Sequence, residues 1–233
     1  MAHTTRTHFQ DELQSLERMA LGGLDMVATA LDRSLETVER QDVELASMVI
    51  ADDDRIDGRY LEVHQGVLSL LALQAPVATD LRVVAALLHV IKHVERMGDQ
   101  CVNIAKLVPL DGHDPPADQD MLGDLHSMGA QARQQVVQAK LAFAQRDVAL
   151  AHDLVRQDEE IDRLNRACFK RALELGDEQD RREWAMHMML VARCIERIGD
   201  NAVDIGEQTA FVVTGLFREF EDASHPVQSR SPA

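Results

Sequence analysis

Four pairs of acids stand four residues apart in this 233-residue chain: Asp53 with Asp57, Glu95 with Asp99, Asp158 with Asp162, and Glu196 with Asp200. On a helix such a pair stacks on one face, where two like charges cost about 0.2–0.5 kcal/mol. A single pair means little, because 40 acids in 233 positions place roughly seven such pairs on helices by coincidence. These four come as two copies. Asp53-Asp-Arg-Ile-Asp57 recurs as Asp158-Glu-Glu-Ile-Asp162 at an offset of 105, and Glu95-Arg-Met-Gly-Asp-Gln-Cys-Val-Asn-Ile104 recurs as Glu196-Arg-Ile-Gly-Asp-Asn-Ala-Val-Asp-Ile205 at an offset of 101. The longer segment keeps Glu, Arg, Gly, Asp, Val and Ile, six identities in ten positions. Acids repeated in register with their neighbours point to a repeated site.

The phase of the acids says what such a site could do. With Ile91 at 0°, Val94, Gly98, Val102 and Ala105 fall within about 60°, while Glu95, Asp99 and Asn103 step off at about 40°, 80° and 120°. With Val49 at 0°, Asp53 and Asp57 again sit near 40° and 80° beside the seam of Ile56, Tyr60 and Val63. Two helices packed along these seams bring both acidic rows to one edge, four carboxylates together. That crowding is unfavourable unless a positive charge sits between them. Oxygen donors at this density suit hard or borderline cations such as Mg, Mn, Fe or Ca, with water completing the shell. Basic side chains of a partner or of the same bundle are the competing counter-charge. Asn103 and Asp204, one turn beyond, add an oxygen on nearly the same face. The candidate metal ligands are therefore Asp53, Asp57, Glu95, Asp99 and Asn103 in one copy, and Asp158, Asp162, Glu196, Asp200 and Asp204 in the other.

Other residues read as structural. Arg96 and Arg197 point away from the seam. His89 and His93 fall opposite it, near 160° and 200° at about 100° per residue, which predicts exposure away from the carboxylates. His187, in Met186-His-Met-Met189, reads as core packing. Gly98 and Gly199, in helix interiors where glycine is costly, predict close backbone approach of a neighbouring helix. Cys101, Cys168 and Cys194 lack a Cys-x-x-Cys pair and read as core filler. No Glu is followed three residues later by His, and there is no phosphate-cradling or dinucleotide-binding glycine loop and no Gly-x-Ser-x-Gly elbow. No catalytic residue is assigned.

Helices must carry these rows. Apolar residues are 45%, aromatics only 3%, and Gly and Pro number 12 and 6, which argues for an all-α domain over a sandwich or barrel. Periodicity predicts helices from Phe9 to about Arg40, from Asp42 to about Gln74, and from Thr79 or Asp80 towards Val108. Three more follow, at about 119–145, 147–175 and 178–218. The Gly22-Gly23 pair marks a kink or a close neighbour in the first, and Pro76 stops the second. The Pro-dense 109–118 segment reads as a linker between units 1–108 and 119–221, with 222–233 a frayed tail. The formal charge of −16 disfavours nucleic acid and anionic lipid as ligands. With no apolar span and no apolar signal core near the N-terminus, cytoplasm is the expected compartment.

The doubled Asp-x-x-Ile-Asp and Glu-Arg-x-Gly-Asp segments, with Gln74-Ala-Pro-Val-Ala-Thr-Asp-Leu-Arg82 before the third helix, resemble the PhoU family from about Phe9 to about Phe217. The resemblance implies two tandem antiparallel three-helix bundles, as a homodimer, with the acidic motifs holding clusters of iron or another transition metal. It implies a negative regulator of the phosphate-starvation response, linking the ATP-binding subunit of a high-affinity phosphate ABC transporter to a sensor histidine kinase. The Pro76 segment has no counterpart in the second half, and Asn103 replaces the acid at Asp204, so the two sites need not be equivalent. Two other readings stand beside it: a metal-dependent hydrolase or oxidase using the same carboxylates, and a structural adaptor whose acidic rows carry no metal.

Overall fold

The computed structural model describes residues 2–74, 76, 78–110, 118–175 and 179–220. Seven α-helices are present among them: α1 (Ala2–Arg40), α2 (Val43–Asp52), α3 (Asp54–Leu73), α4 (Ala78–Leu107), α5 (Gln119–Gln145), α6 (Val148–Leu175) and α7 (Gln179–Thr214). The predicted tail 222–233 and most of the predicted linker, 111–117, lie outside the described residues.

The repeat shows in how the helices stop and start. Gln41 and Arg146, at an offset of 105, end α1 and α5 in the left-handed conformation, with φ of 52° and 57°. The next residue in each copy caps the following helix. Asp42 accepts from the Leu45 amide at 2.9 Å, and Asp147 accepts from the Ala149 and Leu150 amides at 2.8 and 3.0 Å. Each cap contributes about 1 kcal/mol by satisfying amides that the first helical turn leaves open.

The first unit packs α1 against α2, α3 and α4, and the second packs α5, α6 and α7 together. The units join through α4 on α7 and α1 on α5, so one continuous core runs through both, from Leu24, Leu31 and Ile91 to Met128, Phe143 and Ile161. Arg133–Asp32 at 2.9 Å and Lys140–Asp25 at 2.7 Å lace α5 to α1. Both pairs are largely exposed and each adds well under about 1 kcal/mol. Apolar burial holds the units together.

Two boundaries differ from the periodicity. The predicted second helix is two, broken by a turn at Asp53 where three consecutive aspartates, Asp52 to Asp54, meet and Asp52 is drawn to Arg33. The last helix ends at Thr214 rather than 218, because Gly215 takes φ 76° and returns its amide to the Phe211 carbonyl at 2.8 Å. Gly23 marks a close neighbour, one of the two expectations for that pair: a Cβ there would stand 2.8 Å from Val94 Cγ1, and α1 continues through it. Cys101 and Cys168 are buried, as expected, and burial pushes both thiols up to about 12. Only Met188 of the Met-rich run is fully in the core; Met186 is exposed.

Candidate functional site

The two short acidic motifs of each repeat lie on antiparallel neighbours, α2–α3 with α4 in the first and α6 with α7 in the second. The helices meet where each glycine stands opposite an acid. A Cβ on Gly98 would come 2.8 Å from Asp53 Oδ1 and 3.1 Å from Ile56 Cγ2. A Cβ on Gly199 would come 2.8 Å from Asp158 Oδ1, 3.0 Å from Ile161 Cδ1 and 2.7 Å from Gln135 Oε1. The expectation of close backbone approach is corrected here: the space that glycine leaves is filled by a carboxylate and an isoleucine side chain, the same pair in each copy.

The first site gathers Asp53, Asp57, Glu95 and Asp99. Burial pushes the Asp53 carboxyl up to about 6, and Asp57, Asp99, Glu95 and Asp54 all add to the rise. Asp99 is raised too, by burial first and then by Glu95 and Asp57. Lys92 stands 2.6 Å from Glu95 Oε2. Asp53 also lines a cleft of about 230 Å³ that Arg33, Arg55 and Cys101 share. Asn103 is exposed and lies outside that cleft.

The second site gathers Asp158, Asp162, Glu196 and Asp200 and is deeper. Asp158 and Glu196 are each only 7% exposed. Asp200 is exposed, yet the protein packed about its base, and then Glu196, Asp158 and Asp162, push its carboxyl up to about 7 against the opposing pull of Arg193. Burial also raises Glu196, and Arg193, which pairs with it, works the other way. Arg166 lies 3.5 Å from Asp162. Asp204 lies 3.4 Å from His93 Nδ1 and lines one groove with Asp158 and Asp200.

Gln135 on α5 is a site residue that the motifs do not reveal. It is fully buried, donates to Asp158 Oδ1 at 3.2 Å and to the Leu154 carbonyl at 3.3 Å, and leaves its own Oε1 without a partner. Its signal is phase: a polar residue beside the apolar Met128, Ala132, Val136 and Ala139 of α5.

A nearby acid shows what a purely structural carboxylate looks like in this bundle. Asp153 accepts from Gln157 at 2.8 Å, Arg156 at 2.9 Å and Gln138 at 3.1 Å. Those hydrogen bonds, Gln138 and Gln157 foremost, hold it down at about 2. The motif acids Asp53 and Asp200 are displaced the opposite way, by burial first and then by the neighbouring acids of their own repeats.

The reading of His89 and His93 changes. His89 is exposed, but His93 is buried, because α7 packs over that face of α4; its Nδ1 lies 2.8 Å from Asn201 Oδ1. Both histidines line a groove with Asp158 and Asp200. A single-helix phase argument cannot see the second helix. Arg96 and Arg197 are exposed, as expected.

The donor set suits a hard or borderline cation: oxygen-rich, short of counter-charge at Asp53, and backed by an orphaned amide oxygen at Gln135. Among the described residues, however, no three His, Cys, Asp or Glu side chains stand together in an arrangement that could hold a metal ion as they are placed.

A model of the PhoU domain matches this chain twice, over residues 23–108 and 125–209. The chain is 31% identical over 92% of its length to a Zymomonas mobilis protein named as a phosphate-specific transport system accessory protein PhoU homolog, covering 90% of that protein. It is 28% identical over 94% of its length to one of the same name from Clostridium acetobutylicum, covering all of it. The crystal structure of the phosphate transport system regulatory protein PhoU from Streptococcus pneumoniae superimposes with a TM-score of 0.84 at 26% identity, over 91% of this chain and 100% of that one. With both matched segments carrying the paired acids, and with each copy folded in the same way around its glycine, the chain belongs to the PhoU family.

Proposed function

We propose that this protein is a cytoplasmic accessory of a phosphate transport system that holds the phosphate-starvation response in check, with metal ions bound at its acidic motifs. Membership in a family of accessory and regulatory proteins means that it is not an enzyme. Among the described residues no helix is long and apolar enough to cross a membrane. In this reading the partners are the ATP-binding subunit of the transporter and a sensor histidine kinase, and the protein works as a homodimer.

The observation that carries the proposal is the pair of crowded carboxylate sets, each pressed onto a glycine at the same repeat position. Asp53, Asp57, Glu95 and Asp99 would hold metal in the first repeat, with Asn103 as an outer oxygen. Asp158, Asp162, Glu196 and Asp200 would do so in the second, with Asp204 one turn beyond. Iron or another transition metal is the occupant that the family resemblance suggests. When bound, such an ion supplies the positive charge these acids lack and fixes the spacing of two helices. An adaptor without metal is the second reading, supported by the absence of a ready trio of donors among the described residues.

Affinity capture of the tagged protein from cells grown at high and low phosphate tests the regulatory role. The expected result is recovery of both the transporter subunit and the kinase, with kinase recovery greater at high phosphate. Recovery of neither under either condition would contradict it.

A further inference from the structure

We propose that the groove where α4, α7 and the C-terminal segment meet binds a guanidinium group, a ligand that the metal-site reading does not include. The groove has a volume of about 440 Å³ and is lined by five acids: Asp158, Asp200, Asp204, Glu207 and Glu219. No lysine or arginine lines it among the described residues. Gln208 lines it as well; that side chain is only 3% exposed, and its Oε1 has no hydrogen-bond partner. A buried amide oxygen in that state is costly, and it points to a donor that the described residues do not supply.

The remaining walls are Val203, His89, His93, Phe217 and Phe220. After Gly215 turns the chain, the segment runs back along α7, and the Phe220 amide donates to Glu207 Oε1 at 2.6 Å. The ring of Phe217 lies 5.8 Å from that of Phe211 and 6.4 Å from that of His89. Phe217 and Phe220 both line the groove.

Acceptors spread along a groove, with rings at its edge, match a guanidinium better than a metal ion. A metal needs donors converging on one point, and none of the described residues provides such a trio. A guanidinium brings five N–H donors in one plane, is weakly hydrated and stacks on aromatic faces. The chain's net charge of −16 draws cations towards it.

The groove's five acids and its orphaned amide all lie in the second unit, across from His89 and His93 of the first. At the offset of 101, Asp204, Glu207 and Gln208 correspond to Asn103, Lys106 and Leu107. Those counterparts remove two carboxylates, add a cation and remove the orphaned oxygen. The inference therefore concerns a property in which the two repeats differ, whereas the metal reading concerns one they share.

Calorimetric titration of chelator-treated protein at fixed ionic strength tests it, using argininamide, lysinamide and citrulline amide, the last a neutral isostere. Saturable binding of argininamide is expected, at least about threefold tighter than lysinamide, with none for citrulline amide. Asp204→Asn/Glu207→Gln and Phe217→Ala should each weaken it about tenfold. Phe217 is 61% exposed, so its variant keeps the core intact. Asp11→Asn/Glu44→Gln, which removes two distant exposed acids, should change nothing. Equal binding of citrulline amide, no saturable binding of argininamide, or equal losses in the distant variant would overturn the proposal. An arginine-containing tripeptide titrated alongside separates the two sources: tighter binding than argininamide indicates a partner chain, equal binding a free ligand. Because metal is stripped beforehand, failure here leaves the metal reading standing, and the reverse holds.

Discussion

Replacing Gly199 with alanine is expected to destabilise the protein by about 2 kcal/mol, although alanine is the better helix former by about 1 kcal/mol. The new methyl would meet Gln135 Oε1 at 2.7 Å, Asp158 Oδ1 at 2.8 Å and Ile161 Cδ1 at 3.0 Å. All three belong to buried residues. Overpacking costs about 1–3 kcal/mol, and shifting Gln135 breaks its hydrogen bond to buried Asp158, adding about 1–3 kcal/mol. For a chain of this size the melting temperature should fall by about 4–8 °C. Gly98→Ala should cost less, because Asp53 is only half-buried and can swing away. A Gly199→Ala variant as stable as the parent would mean that the acid does not rest on the glycine.

The second large effect is a gain. Asp53 and Asp200 titrate near 6 and 7 in the folded protein and near 4 when unfolded. The folded state therefore binds these protons more tightly, and linkage makes metal-free stability fall as pH rises from about 4 to about 7. Both groups reach solvent, so screening reduces each contribution to about 1 kcal/mol. Asp53→Asn/Asp200→Asn should then raise metal-free stability by about 2 kcal/mol at pH 7.5 and by little at pH 4. Chemical denaturation of chelator-treated protein at the two pH values reads this directly. A loss of stability at pH 7.5 would show that the acids are already neutralised within the chain.

Much of this arrangement is legible in the residues. The repeat, the helical stretches and the two acidic rows follow from spacing, because each rests on periodicity within one helix. What the sequence hides depends on contacts between helices. His93 lies opposite its own seam and is buried only because α7 covers α4. Gln135 joins the second site from a helix that carries no motif. Gly98 and Gly199 can be read as close-contact positions, yet nothing in the spacing says that a carboxylate fills the space. Gly215 is a different case: a glycine near the end of a periodic stretch is a stop signal, but the apolar Leu216 and Phe217 beyond it carry the periodicity past the true end.

The central claim, that each repeat's carboxylates hold metal, is tested most directly by metal content and melting temperature measured on the same samples. The parent is compared with Glu95→Gln/Asp99→Asn, Glu196→Gln/Asp200→Asn and the combination of all four. The account predicts that each pair of substitutions removes one repeat's share of bound metal and that the combination removes all of it. It also predicts that metal at about a hundred times its dissociation constant stabilises the parent by about 2.7 kcal/mol per site, about 5.4 kcal/mol for the two repeats, and leaves the fourfold variant unmoved. Equal metal content in the parent and the fourfold variant, or a melting temperature indifferent to metal in both, would contradict it.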